Sequence, residues 1–368
     1  MELSEIEVRI MDSPDFQRLR GIKQLATAYL VYPGANHTRF EHSLGTLHLA
    51  SRISKRLGLG KEDAVKARLY ALLHDIGHSA FSHEAEWVTS KFLGSHEEIG
   101  KKIIMGGQIG DIISESLSKR EIADFQKSPN SKIITSDIGA DRMDYLKRDA
   151  HYTGVAYGVI DEGRIIEKMY MEKGGLGVES GALETSESLL IARFMMFSTV
   201  YFHHTVRIAS AMLVRSLESA FSSGEMEPGE MVSQGDSEIL SRLSKIKDAG
   251  FYASAIIDRR LYKEAHSFPR SSDSLGVFSM EEKKRAEIAS EISSISGCEV
   301  LLDVPRDFSH SCHFKVKMHD NEEMEISKVS ELVRALDSAE NSRKRALLLC
   351  SKENREKVAR ACRQYFGS

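Results

Sequence analysis

Tryptophan occurs once in these 368 residues, proline six times and cysteine four times, and neither sign of charge dominates. Each shortage excludes something. Cys298, Cys312, Cys350 and Cys362 all lie in the last quarter with no close pair, so they read as reduced thiols, not a disulfide frame or zinc knuckle. Fifty basic against 54 acidic residues leave a net charge of −4, which argues against a duplex-DNA binder working through a strongly basic face. The longest apolar run, Leu189 to Phe202, contains Arg193 and is too short to span a bilayer. The opening MELSEIEVRIMDS mixes acids and Arg9 into its apolar residues, which predicts no secretory leader and a cytoplasmic location. With 41% hydrophobic and 28% charged residues, the composition is that of a globular chain of about two domains.

No proline falls between Pro33 and Pro129, and the intervening text is helical in period. Ser51 to Leu57 and Glu62 to Leu73 each put apolar residues on one face, with Asn36-His37-Thr38 as a start signal and Gly58 and Gly60 as stops. Ser95-His96-Glu97-Glu98 has the form of a capping box and predicts another helix. Ile138 to Asp149 and the long stretch Thr185 to Phe221 also read as helical. Ile166 to Val178, split by Gly174-Gly175, predicts a small hairpin. The Ser- and charge-rich HSFPRSSDSLGVFSMEEKKR is the best linker candidate. After it, CEVLLDV, FKVKM and RALLLCS read as strands alternating with helices at Lys328–Leu336 and Glu353–Tyr365. The expected division is therefore 1–223, 224–284 and 285–368, with a mainly α core, a hairpin and a C-terminal α+β module.

Histidine is concentrated. Evenly spread, the fourteen would place about two in any 60-residue window, yet residues 37–96 hold seven. His74-Asp75 closes an apolar helix, and neighbouring side chains diverge by about 100° on a helix, so the pair can share one ion only near a helix end. His78 follows four residues after His74, and Gly77 allows backbone and ligand to approach closely. His42 can supply a third ligand once the two helices pack antiparallel. Asp141 is the natural fourth, because Asp141, Tyr145 and Asp149 repeat at helical spacing and form a polar stripe. Such an imidazole–carboxylate set suits Mn, Fe, Mg, Ni, Co or Zn without distinguishing them. His78, His83 and His96 exceed one coordination sphere and read as a second group that neutralises phosphate and donates a proton. Arg39, three residues before His42, can fork onto a phosphate.

The flanking text sharpens the pattern. DSPDFQRLRGIKQLATAYLVYPGANHTRFEHSLGTLHLA, LLHDIGHSAFSHEAE and DIGADRMDYLKRDAHYTG resemble the HD-domain phosphohydrolases, and within them the deoxynucleoside triphosphate triphosphohydrolase branch, over roughly residues 10–265. The resemblance implies an HD-domain helical core with metal ligands His42, His74, Asp75 and Asp141. It makes His78, His83 and His96 the catalytic or phosphate-facing group, with Glu86 orienting one of them where family members usually carry Asp. It further implies that Gln24 and Leu25 meet sugar and base, that Gln24 and Asp149 reach the 3′-hydroxyl, and that Tyr145 excludes a 2′-hydroxyl. Arg39, Arg142 and Arg193 would hold phosphates, Arg142 standing where animal members of that branch carry a lysine, and His204 would line the pocket. The resemblance also places Asp12, Gln17 and Arg20 at the positions of an allosteric nucleotide site, which makes regulation by GTP or a dNTP an expectation.

The activity so implied is metal-dependent conversion of a dNTP to deoxynucleoside and triphosphate, by a homo-oligomer (dimer or tetramer) with no membrane partner. Three rival readings stay open on the residues alone. One is a phosphohydrolase acting on a nucleoside monophosphate or cyclic nucleotide. Another is a nucleotide- or single-stranded nucleic-acid-binding regulator with a residual metal site. The third is a helical protein with a purely structural ion.

Overall fold

The computed structural model describes residues 2–172, 175–305 and 313–367, and these divide into two compact units. The first comprises 1–197, 226–239 and 312–334; the second comprises 198–225, 240–311 and 335–368. The partition is interleaved along the chain, where the sequence suggested three consecutive segments. Among the described residues no helix is long and apolar enough to cross a membrane. Cys298, Cys350 and Cys362 are unpaired, and Cys312 lies outside the described residues.

The first unit is built on three packed helices, Arg39–Arg56, Lys61–Leu73 and Ala140–Thr153. The Arg39–Arg56 helix starts at a Thr38/Glu41 capping box, which satisfies two of the orphan amides of its first turn. Leu47, Ala50 and Ile53 are fully buried on it, as are Ala67, Leu69, Ala71 and Leu72 on its neighbour. Each large aliphatic so enclosed contributes about 1.5–3 kcal/mol relative to exposure. The third helix comes unusually close because Gly45 faces it. A side chain there would overlap the Asp144 carboxylate and the Arg148 guanidinium. The capping box expected at Ser95 is present and opens the His96–Met105 helix.

Among the described residues seven strands form two small sheets: β1 (Met169–Glu172), β2 (Gly175–Glu179), β3 (Lys263–Pro269), β4 (Leu301–Asp303), β5 (Lys315–Lys317), β6 (Glu323–Glu325) and β7 (Arg345–Cys350). β1 and β2 make the expected antiparallel hairpin; of its turn, Gly174 lies outside the described residues. In the first unit this hairpin is extended by β5 and β6 in the order β1-β2-β5-β6, β2 and β5 running parallel. Val178 faces Val316 in that register, and both are fully buried. Of the C-terminal strands, β5 and β6 join the hairpin, whereas β4 and β7 pair with β3 in the second unit, where they form the expected small α+β module.

In the second unit β7 is the central strand of the order β3-β7-β4, and its run Ala346 to Cys350 is buried throughout. A continuous apolar run is what a strand covered on both faces requires. The Glu282–Ser296 and Arg355–Phe366 helices supply Ile288, Ile292 and Val358 to the same core. The linker expected around HSFPRSSDS is instead folded into this unit. Its first residues end β3, the Asp273 carboxylate accepts the amides of Val277 and Phe278, and Arg285 donates to both of their carbonyls. The polar residues there satisfy backbone groups while Val277 and Phe278 enter the core. The single helix expected over 185–221 is broken: Leu183–Met196 ends in a π-helical turn, and a second helix, His204–Ser222, begins after His203, whose ring accepts the Thr205 amide as an N-cap.

Candidate functional site

The Lys61–Leu73 helix stops one residue before His74, so His74 and Asp75 lie in the turn beyond it and escape the divergence of neighbouring helical side chains. There the Nε2 of His74 is 3.4 Å from Asp75 Oδ1, and the Nε2 of His42 is 3.5 Å from Asp75 Oδ2. Asp141, from the first turn of the Ala140–Thr153 helix, brings Oδ1 to 3.1 Å from His42 Nε2 and 3.8 Å from His74 Nε2. The structure therefore gathers all four residues expected as ligands.

Whether they fit an ion can be tested on the imidazoles. His42 Nδ1 lies 2.9 Å from Asp144 Oδ2 and His74 Nδ1 lies 2.8 Å from the Ala71 carbonyl, so each ring has a fixed acceptor for its Nδ1 proton. The opposite nitrogens, Nε2 of both rings, are buried and make no hydrogen bond. Two unpartnered lone pairs converging beside two carboxylates are the arrangement a divalent cation satisfies, with the outer hydrogen bonds holding the rings in aim. The residues fit the group. Without it, burial pulls the His42 imidazole down, but Asp141, Asp144 and Asp75 outweigh that and push it up to about 10. A cation entering the site displaces that proton. Asp75 is fully desolvated, which raises it, yet Arg39 and His74 hold it well below the ordinary carboxylate range.

A second cluster lies against the first. The rings of His78 and His96 stack at 4.0 Å, with His83 set edge-on to both. Glu86 bridges two of them, its oxygens 2.9 Å from His83 Nδ1 and 2.6 Å from His96 Nδ1, and it also accepts the His96 amide. Gly77 makes the stacking possible in a different way from that expected. What approaches it closely is no ligand but the backbone of the next helix, His96 O and Gly100 N, which any side chain would overlap. Burial and the Arg39 charge push His78 well down, so it stays neutral, and its Nε2 has no hydrogen-bond partner. Burial would also lower His96, but the Glu86 carboxylate outweighs it and raises this imidazole above its ordinary value.

The stripe Asp141, Tyr145 and Asp149 runs along the Ala140–Thr153 helix away from the first cluster. Gln24 is linked to its far end through His37: the Gln24 backbone amide donates to the His37 carbonyl, the His37 ring meets Asp149, and Gln24 Oε1 is buried without a hydrogen-bond partner among the described residues. Leu25, half-buried, caps the 3₁₀ turn Ala26–Leu30. Arg193 is buried and lies 5.8 Å from the Phe197 ring centroid, while Arg142 is ion-paired with Asp137. Arg39 was expected to fork onto phosphate, but Nε already donates to Ser82 Oγ at 2.7 Å and Nη1 to Asp75. His204 belongs to the second unit, where it opens the His204–Ser222 helix with its ring 4.6 Å from that of His203.

Three residues at the site escaped the sequence reading. Asp144 holds His42 and is itself gripped by Arg148 Nε and Nη2, each at 2.8 Å; its signal was the i, i+4 acid–arginine spacing. His37, fully buried, places Nε2 2.8 Å from Asp149 Oδ1 and stacks on Tyr152. Asp236, buried, accepts the Phe81 amide at 2.7 Å and the Lys23 amide at 2.9 Å. Nothing local marks it, since it lies more than 150 residues from both partners.

Comparison with known proteins agrees with this geometry. The HD domain pattern matches residues 39–149, and the HD associated region matches residues 160–367, more than half the chain. The uncharacterized protein MJ1154 of Methanocaldococcus jannaschii is 36% identical over 353 residues, covering 92% of this chain and 74% of that protein. The deoxynucleoside triphosphate triphosphohydrolase SAMHD1 of Homo sapiens is 33% identical over 201 residues, 42% of this chain and 32% of its own. A crystal structure of the phosphohydrolase BT4208 from Bacteroides thetaiotaomicron has a TM-score of 0.75 at 25% identity, covering 94% of this chain and 95% of that one. The chain spans about half the length of several other curated relatives. With both family patterns in tandem, similarity to MJ1154 over 92% of this chain and the convergence of His42, His74, Asp75 and Asp141, this chain belongs to the HD-domain phosphohydrolases.

Proposed function

We propose that the chain hydrolyses deoxynucleoside triphosphates, releasing deoxynucleoside and intact triphosphate, with His42, His74, Asp75 and Asp141 holding a divalent cation. The observation that carries this reading is the stripe from Asp141 through Tyr145 to Asp149, to whose end His37 ties Gln24, a residue with a buried Oε1 that makes no hydrogen bond among the described residues. A deoxyribose laid along it would set its 3′-hydroxyl between Asp149 and Gln24, with Tyr145 under the 2′ carbon. The similarity to SAMHD1 supports the same substrate class.

When bound, a divalent cation polarises a phosphoryl oxygen and lowers the pKa of water. The chain's own residues account for the rest. Arg39 and the rings of His42 and His74 fix the Asp75 carboxylate. Glu86 takes the Nδ1 side of both His83 and His96, which turns their Nε2 atoms outward, that of His96 lying 3.4 Å from Glu97 Oε1, a contact the substrate would replace. The Glu86 carboxylate favours the protonated form of His96, and this ring can pass a proton to the departing 5′ oxygen. Arg142 and Arg193 offset the charge of the triphosphate.

The test is a panel of four dNTPs and four NTPs with Mn, Mg, Fe, Ni, Co or Zn, the products resolved by chromatography. Triphosphate and deoxynucleoside are expected from dNTPs alone. Orthophosphate as the first product, or no turnover with the cation bound, would overturn the proposal. A His96→Ala protein should keep its metal and lose about 10²–10⁴ of the turnover rate, the usual worth of a general acid.

A further inference from the structure

On the first unit, a cavity of about 500 Å³ opens beside the Arg39–Arg56 helix. Its wall carries His48, Ser51, Arg52 and Lys55 from that helix, Arg68 from the next one, and Glu2 as the sole acid. Positions 48, 51, 52 and 55 fall on one helical stripe. Six residues separate His42 from His48, a rotation of about 240°, so the stripe points well away from the metal-facing side. Three permanent cations against one acid oppose the chain's net charge of −4.

The cations differ in how far they are already engaged. Arg68 is fixed in place, with Nε 2.7 Å and Nη2 2.6 Å from the Glu7 carboxylate and Nη1 2.8 Å from Ser51 Oγ. Among the described residues Arg52 reaches only Glu162, at 3.4 Å, and that carboxylate is held more closely by Lys147 at 2.7 Å. Lys55 makes no ion pair among the described residues. At the exposed His48, partial burial and then the Arg52 charge disfavour a proton, against smaller opposing contributions from Glu162 and Asp144. From His48 to Lys55 the stripe extends about 10 Å along the helix axis, longer than one phosphate needs.

We infer that this cavity is a second anion site, which takes a polyphosphate chain, inorganic or carried by a nucleotide, through Arg52, Lys55 and His48 above a rigid Arg68–Ser51 floor. Its volume falls in the range of small-ligand pockets. Its donors are the guanidinium and ammonium groups that recognise phosphate, with a hydroxyl between them. This inference does not rest on the catalytic reading. A chain that bound polyphosphate here and hydrolysed nothing would leave it standing.

The test is calorimetric titration of the full chain in excess chelator, so that turnover is off, first with sodium tripolyphosphate and then with dGTP. R52E/K55E should lose a binding event that Arg193→Ala retains, with affinity falling about tenfold or more for the two charges reversed. The neutral R52Q/K55Q should show the same loss in smaller degree and covers the case in which charge reversal impairs folding. Competition by dGTP for the tripolyphosphate event would identify a nucleotide as the ligand, and its failure to compete would identify the inorganic chain. Unchanged affinity and stoichiometry in both double variants would overturn the inference.

Discussion

Removal of the Asp236 carboxylate should loosen the histidine clusters from a distance. Its two oxygens accept one buried amide, that of Phe81, and one from the half-buried Lys23. Phe81 and Ser82 both sit in the left-handed region, at φ of 61° and 51°, where a residue with a side chain costs about 1–3 kcal/mol to hold. Asp236→Ala leaves two donors unsatisfied, at about 1–3 kcal/mol each, so about 2–6 kcal/mol of local stability is at stake. The damage should travel along a short path. Ser82 Oγ accepts from Arg39 Nε, and Arg39 in turn grips Asp75. Hydrogen exchange is the direct assay: the Phe81 and Lys23 amides should lose two or more orders of magnitude of protection, and metal affinity should fall with them. Asp236→Asn keeps one acceptor and should sit about midway. Wild-type protection of both amides in Asp236→Ala would refute the reasoning.

Other expectations follow from the same geometry. Asp144→Asn should weaken metal binding by about 10–100-fold in a calorimetric titration while leaving the helical circular dichroism intact, because it frees His42 without removing a ligand. Gly45→Ala should destabilise the first unit by about 1–3 kcal/mol in thermal or denaturant unfolding and weaken metal binding too, since the added methyl drives into Asp144 and Arg148. Glu7 supplies a pH dependence remote from the metal. Burial alone would raise its carboxyl, but Arg68 and the Ser4 amide outweigh that and hold it below the ordinary 4.5. A group depressed in the fold stabilises above its unfolded value and loses that contribution as pH falls, so wild-type stability should decline as pH drops below the ordinary 4.5. Glu7→Gln should flatten that decline, and an unchanged acid limb would exclude the pair as its source.

How much of this could be read from the sequence follows the range of the interactions. Capping at Thr38 and Ser95 depends on residues three apart, and both helices begin where those signals stand. His42, His74, Asp75 and Asp141 carried recognisable text, and they converge. Asp144 was hidden because an acid four residues before an arginine usually makes a solvated pair; only the ring of His42, 102 residues earlier, gives it another task. The pairing of β2 with β5 joins residues more than 135 positions apart, beyond any periodicity argument. The polar stretch around Asp273 looked like a linker because its serines and charges resemble solvated loop, whereas the carboxylate is spent on the amides of two buried residues.

The interleaved partition bears on how the protein can be divided. A gene fragment ending at residue 223 would encode every imidazole of both clusters and still omit 226–239 and 312–334, which the first unit draws from much later in the chain. The hairpin edge that Lys315–Lys317 occupies would then stand open, a row of free amides and carbonyls that invites pairing between copies. Excising the histidine-bearing half as a minimal enzyme should therefore give aggregates, and dissection of this protein is better done by point substitution than by truncation.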